Sequence, residues 1–180
     1  MVQINELLGN AKLIKLLTFL VRNSSQEFSS GQIKAQTKLA KATLTKWLGF
    51  LQTKNFLYLK RIGLNKLYKV NRENCLVRQF KIMLSLLDLQ FLINLSQKHN
   101  FNVYLFGSAA RGQDVENSDY DILIIGDIKR EEIIPEIRKN SKKLKKELKL
   151  QLFNSKEWLA LSAKDPAFYE RVEQDKIKIQ

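Results

Sequence analysis

The chain has 180 residues, 44% of them hydrophobic, and carries 31 Lys/Arg against 18 Asp/Glu for a net charge of +13. That size and apolar content suit one ordinary domain or two small packed ones and exclude a disordered chain. A single cysteine, Cys75, and a single histidine, His99, exclude an intrachain disulfide framework and a Cys/His zinc site, and a reducing, cytoplasmic setting is expected. Each of the two reads as a packing or surface residue.

No membrane association is expected either. The most apolar stretch, "IMLSLLDLQFLINL", is short and holds Asp88, Gln90 and Asn94, and the N-terminus lacks a signal-peptide pattern. The charge is uneven: up to Cys75 there are 13 Lys/Arg against three Asp/Glu, and from Leu76 onward 18 against 15. The front part is therefore the candidate to meet a polyanion.

In chain order, "NAKLIKLLTFLVRNSS" places Leu13, Leu16, Leu17 and Leu20 at helical spacing behind an Asn10 cap, which predicts the first core helix. A short extended piece, two helices and a hairpin follow. Leu44, Trp47, Leu48 and Leu51 share one stripe of the later helix and leave Lys41, Thr43, Thr45 and Lys46 on the other side. Asn55 suits a helix stop, because it tolerates the left-handed conformation. The hairpin "FLYLKRIGLNKLYKV" alternates around a tip of Gly63, Leu64 and Asn65, with Lys60, Arg61, Lys66 and Lys69 making its flanks basic.

Three helices and a basic hairpin over residues 1–72 resemble a winged helix-turn-helix. "LAKATLTKWLGFLQTKNFLYL" is similar to the recognition-helix signature of bacterial and archaeal regulators with that fold. The resemblance implies double-stranded DNA as partner: Lys41, Thr43, Thr45 and Lys46 at a helix start would enter a groove while Lys60, Arg61 and Lys66 sit on phosphates. Dimerisation or docking of protein or RNA is the alternative use of such a module.

Residues 73–99 read as a connecting helix. Leu76, Phe80, Met83, Leu84, Leu87, Phe91 and Leu95 recur every three or four positions, and one helix from Glu73 to Lys98 would run roughly 40 Å. Apolar residues on a second face, including Ile82, Leu86, Leu89 and Ile93, predict that it joins two domains and packs against a second copy as a homodimer.

From residue 100 the pattern changes. "NVYLFGS" is a buried-type strand ending at Gly107 and Ser108, "AARG" can open a helix, and "SDYDILIIG" is a second strand. Asp119 and Asp121, two residues apart, share one face about 7 Å apart at the backbone. Such a pair can hold one or two hard divalent cations and leave positions open for phosphate oxygens and water. Gly107 allows close backbone approach, and Ser108 with the following amides can hold phosphate at a helix start.

"GSAARGQDVENSDYDILII" resembles the glycine-serine and paired-aspartate motif of the DNA polymerase β-type nucleotidyltransferase superfamily, in particular the minimal nucleotidyltransferases. The tail "DPAFYERVEQDKIKI" resembles the helix that closes those domains, so the likeness covers residues 100–180. The resemblance implies transfer of a nucleoside monophosphate from a nucleoside triphosphate, ATP being the expected one, to a hydroxyl. Gly107 and Ser108 would bind the triphosphate, Asp119 and Asp121 would be the catalytic pair holding Mg2+ or Mn2+, and Arg111 would lie near phosphate or in a salt bridge to the site's acids. Some members act on partner toxins in toxin-antitoxin pairs, which makes a toxin protein a candidate acceptor.

The helix "EEIIPEIRKNSKKLKKELK" turns Ile133, Ile134, Ile137 and Leu144 inward. Its lysines, with Lys149, form either a solvated helix end or a basic rim. In the strand "LKLQLF" after it, Leu148, Leu150 and Leu152 face the core while Lys149, Gln151 and Phe153 face the other way. Gln151 stands where the family carries a third carboxylate, and Glu147 belongs to the helix end. The expected fold is thus α+β: a winged helix-turn-helix, a long connecting helix, and a small α/β nucleotidyltransferase domain with a mixed sheet. The function expected is DNA binding joined to nucleotide binding or transfer; the alternative is a transcription regulator whose rear domain is a non-catalytic nucleotide sensor or dimerisation platform.

Overall fold

The structure, a computed structural model, describes residues 8–179. The chain divides into two compact units, Met1–Lys81 and Ile82–Gln180, each with its own core. The first runs α1 (Ala11–Arg22), β1 (Glu27–Ser29), α2 (Ser30–Thr37), α3 (Lys41–Thr53), β2 (Leu57–Ile62) and β3 (Asn65–Val70). Asn10 starts α1 as its spacing predicts: Oδ1 accepts from the backbone N–H groups of Lys12 at 3.0 Å and Leu13 at 3.1 Å, satisfying donors that the first helical turn leaves open. Leu13, Leu16, Leu17 and Leu20 are all buried, and Leu44, Leu48 and Leu51 of α3 join them.

Asn55 lies in the left-handed region, with φ +61°, two residues beyond the end of α3. The chain then folds back through β2 and β3. The short extended piece is a third strand, β1, giving the order β1-β3-β2, antiparallel throughout. Ile62 pairs with Asn65, so Gly63 and Leu64 alone form the hairpin turn, and Gly63 supplies the positive φ of +57° that a two-residue turn needs. Three helices with this sheet and a projecting β2–β3 hairpin are the architecture of a winged helix-turn-helix.

The single long helix expected from Glu73 to Lys98 is two helices, α4 (Cys75–Asp88) and α5 (Phe91–His99), and the division between units falls inside α4. At the break the ladder tightens: Leu92 N–H donates to the Leu89 carbonyl and Ile93 N–H to the Gln90 carbonyl, three residues back instead of four. Leu89 and Leu92 are both fully buried, so the apolar period runs on through a step that its own residues do not punctuate.

The rest of the second unit is β4 (Asn102–Phe106), α6 (Gly107–Ala110), β5 (Tyr120–Ile125), α7 (Arg130–Leu144), β6 (Leu148–Phe153), α8 (Ser155–Lys164), α9 (Pro166–Asp175) and β7 (Ile177–Lys178). Its sheet has the order β6-β5-β4-β7; β5 and β6 are parallel and the other pairs antiparallel, a mixed sheet. Leu92, Leu95, Ile133 and Ile137 cover one face over Val103, Leu105, Ile122 and Leu150. On the other, Trp158 and Val172 of α8 and α9 pack on Phe106 and Leu123. Asp165 caps α9, with Pro166 at its first position.

A buried polar cluster ties the loop after α6 to this core. Lys146 Nζ lies 3.1 Å from the buried carboxylate of Asp114 and 4.4 Å from the centre of the Tyr120 ring. The Tyr120 hydroxyl donates to Asp88 Oδ2 at 2.9 Å. Burial, above all, pushes the Tyr120 phenol far above its usual titration range.

Candidate nucleotide and metal site

β4 ends at Phe106, which pairs with Asp121 on β5, so the turn after β4 lies against the Asp121 carboxylate. Gly107 makes that turn with φ +74°, and a Cβ built on it would stand 2.5 Å from Asp121 Oδ2. Both the backbone angle and the contact require glycine at this position. The turn opens a cleft of about 400 Å³ lined by Gly107, Ser108, Arg111, Asp121 and Gln151. Phe168, Arg171 and Asp175 of α9 line it from the other side.

Asp119 lies one residue before β5 and is not part of the cleft lining. Its Oδ2 is 2.6 Å from Lys149 Nζ. Asp121 titrates above the usual carboxylate range: burial is the main cause and Asp119 adds to it, while Lys149, Arg171 and Arg111 oppose it. Lys149 is held above the usual lysine value chiefly by its hydrogen bond to Asp119.

For Arg111 the sequence leaves phosphate or a salt bridge open, and the structure places a salt bridge with Asp175, to which Arg111 Nη1 donates. The same carboxylate accepts from the Gly107 backbone N–H at 3.4 Å. Gln151 faces the cleft on the side of Lys149 and Phe153, while Leu148 and Leu150 enter the core, as the alternation predicts. Glu147 is exposed and precedes β6; its carbonyl accepts from the Tyr120 N–H.

Three cleft-side residues escape the sequence reading. Lys149 belongs to a lysine-rich run that reads as a helix end. Arg171 and Asp175 lie in the closing helix, and Asp175 is 64 positions from Arg111, too far for local spacing to reveal. The alternating parity of β6 already places Lys149 on the Gln151 face, and that is the one signal that could have singled it out.

The donor set is of the kind that suits a divalent cation. Asp119 and Asp121 offer hard carboxylate oxygens, and phosphate oxygens with water would complete the coordination. Among the described residues no group of three or more His, Cys, Asp or Glu side chains is arranged to hold an ion.

In the first unit, Lys41, Thr45 and Lys46 of α3 are exposed and Thr43 is half-buried; Lys60, Arg61 and Lys66 on the hairpin are exposed. Lys60 and Lys69 lie 3.9 and 3.8 Å from the same acid, Glu27. Cys75 is exposed, and His99 Nδ1 lies 3.6 Å from Glu132. Among the described residues no helix is long and apolar enough to cross a membrane.

A mixed four-stranded sheet whose first strand ends in a Gly-Ser turn over an Asp-x-Asp strand defines a nucleotidyltransferase-type domain, here preceded by a winged helix-turn-helix. The family described as "Nucleotidyltransferase domain" matches residues 89–179, and the chain belongs to it. Members of that family generally use a nucleoside triphosphate with a divalent metal.

No curated protein matches the chain. Among solved structures, it is similar to reduced HlyU from Vibrio cholerae N16961, with 16% identity and a TM-score of 0.35, over 42% of this chain and 74% of that one. It is also similar to NolR from Sinorhizobium fredii, with 18% identity and a TM-score of 0.34, over 52% of this chain and 78% of that one.

Proposed function

We propose that the protein is a DNA-binding regulator that takes up a nucleoside triphosphate, expected to be ATP, with Mg2+ or Mn2+ in the cleft of its second unit. The observation that carries this reading is the convergence of the Gly107 turn, Arg111, Arg171 and Asp121 on one cleft. The turn and two guanidinium groups suit phosphate oxygens, and Asp121 with Asp119 suits the cation that accompanies them. A bound metal ion would neutralise charge on the triphosphate.

Transfer of a nucleoside monophosphate to a hydroxyl, including one on a partner toxin, is a second reading, favoured by the retained Gly107-Ser108 and Asp119-x-Asp121 set. In that step the acceptor oxygen bonds to the α-phosphorus, pyrophosphate leaves, and the hydroxyl proton needs a base. Gln151 is neutral and cannot take it, and an absent base costs about 100-fold or more in rate. Geometry therefore favours binding over turnover.

Lys41, Thr43, Thr45 and Lys46 on α3, with Lys60, Arg61 and Lys66 on the hairpin, form the proposed contact surface for double-stranded DNA. A homodimer is proposed through α4, where Met83 and Leu87 stay exposed one turn apart. Light scattering on the purified chain tests that assembly.

Titration with a non-hydrolysable triphosphate analogue with and without Mg2+ tests the cleft: Mg2+ should strengthen binding by the wild type and should not strengthen it in Asp119→Ala/Asp121→Ala. An equal gain from Mg2+ in both would sink the site assignment. Incubation with α-labelled triphosphate and a neighbouring gene product separates the two readings, since transfer leaves label on an acceptor.

A further inference from the structure

Resting on the nucleotide-binding reading above, we infer that Lys149 is a resident cation of the cleft, whose ammonium takes the place of one of two divalent ions and leaves room for a single metal with the nucleotide. Lys149 lies at the edge of the cleft, outside its lining, and four observations turn it toward the site. Lys149 pairs in register with Asp121 across the parallel β5–β6 ladder. Its neighbours Leu148 and Leu150 are buried in the opposite core, so its side chain shares the face of Asp121 and Gln151. Its Nζ lies 2.6 Å from Asp119 Oδ2. Gln151, two positions on, faces the same cleft as a neutral side chain.

Charge balance points the same way. With Lys149 and Gln151, this face of β6 brings one positive charge and no carboxylate to the site, so part of the charge that would neutralise a triphosphate is supplied by the chain itself. Of the three ammonium donors, one meets Asp119 and two remain for oxygens of a triphosphate. An ammonium attracts phosphate as a point charge but offers no coordination position at which a hydroxyl could bind and lose its proton. Lys149 therefore suits retention of the nucleotide and opposes its transfer.

Electron paramagnetic resonance of Mn2+, titrated into the full chain with saturating non-hydrolysable triphosphate analogue, counts the ions directly. The wild type and Lys149→Arg should each bind one Mn2+ per nucleotide, and Lys149→Ala/Gln151→Asp should bind two. In excess chelator the wild type should still bind the analogue, about tenfold or more better than Lys149→Ala, while Lys164→Ala, at an exposed position at the end of α8, should match the wild type. Two ions in the wild type, one ion in a folded double variant that still binds nucleotide, or chelator-resistant binding that ignores Lys149 would overturn the inference and leave the nucleotide reading standing. Failure of the wild type to bind the analogue at all would overturn both.

Discussion

The two units treat their charged side chains in opposite ways. In the first, Lys41, Lys46, Arg61 and Lys66 make no ion pair among the described residues, and Lys60 and Lys69 share the single acid Glu27. In the second, two of the three cations at the cleft are matched to an acid, Arg111 with Asp175 and Lys149 with Asp119, and Arg171 lies over the Phe168 ring. Surplus positive charge on exposed side chains attracts a polyanion without fixing where it lies, whereas matched pairs hold side chains in place for a small ligand. The first unit is therefore suited to an extended surface, and the second to a site of a few residues.

Removing the surplus should give the largest effect. Lys41→Ala/Lys46→Ala/Arg61→Ala/Lys66→Ala should weaken duplex binding on the order of 100-fold or more at low salt, and flatten the slope of log affinity against log salt by about 0.9 for each phosphate no longer neutralised. Fluorescence anisotropy across a salt series measures both. Nucleotide binding in the cleft should be unchanged, and an unaltered salt slope would break the contrast by making the front charge incidental.

The matched side is tested first at its buried pair. Asp114 is almost fully buried and Lys146 mostly so, so Lys146→Met strands a carboxylate and removes the cation over the Tyr120 ring. A loss of about 3 kcal/mol in denaturant unfolding is expected. Lys60→Ala on the hairpin removes only a loose exposed contact and should change stability by less than about 0.5 kcal/mol. Similar losses from both would show that the two kinds of pair do not differ.

Gly107→Ala sharpens the contrast at the cleft itself. The methyl group would meet Asp121 Oδ2 at 2.5 Å on a backbone with φ +74°, a strain of about 1–3 kcal/mol. Nucleotide affinity should fall about tenfold or more, read by calorimetry, with duplex affinity unaffected.

What the sequence revealed divides along the same line. The Asn10 cap, the hairpin turn and the Gly107–Asp121 motif are local, with partners within a few residues or on adjoining strands, and spacing reaches them. Alternation in β6 also placed Gln151 on the cleft side. The break after Asp88 was hidden because a tightened turn with no Gly or Pro leaves the apolar period nearly in phase. The two-residue strand β7, paired only to β4, is too short to carry a period. Asp175 was hidden because its partners, Gly107 and Arg111, come to it through tertiary packing of α9 that no pattern near it encodes.

The smallest expected effect isolates what the cleft costs the fold. Asp121 titrates above the usual carboxylate range chiefly because it is partly buried, so the folded chain binds that proton more tightly than the unfolded chain does. Its contribution to stability is favourable below the unfolded pKa and is lost as pH rises through the window above the ordinary value. In metal-free buffer, Asp121→Asn should therefore melt slightly higher than wild type at neutral pH, and the gap should close as pH falls to the acid side of that window. The same variant should lose metal-dependent nucleotide binding. A gap that is constant with pH would mean that Lys149 and the two arginines already offset the carboxylate's burial, and that the cleft is held together without cost to the fold.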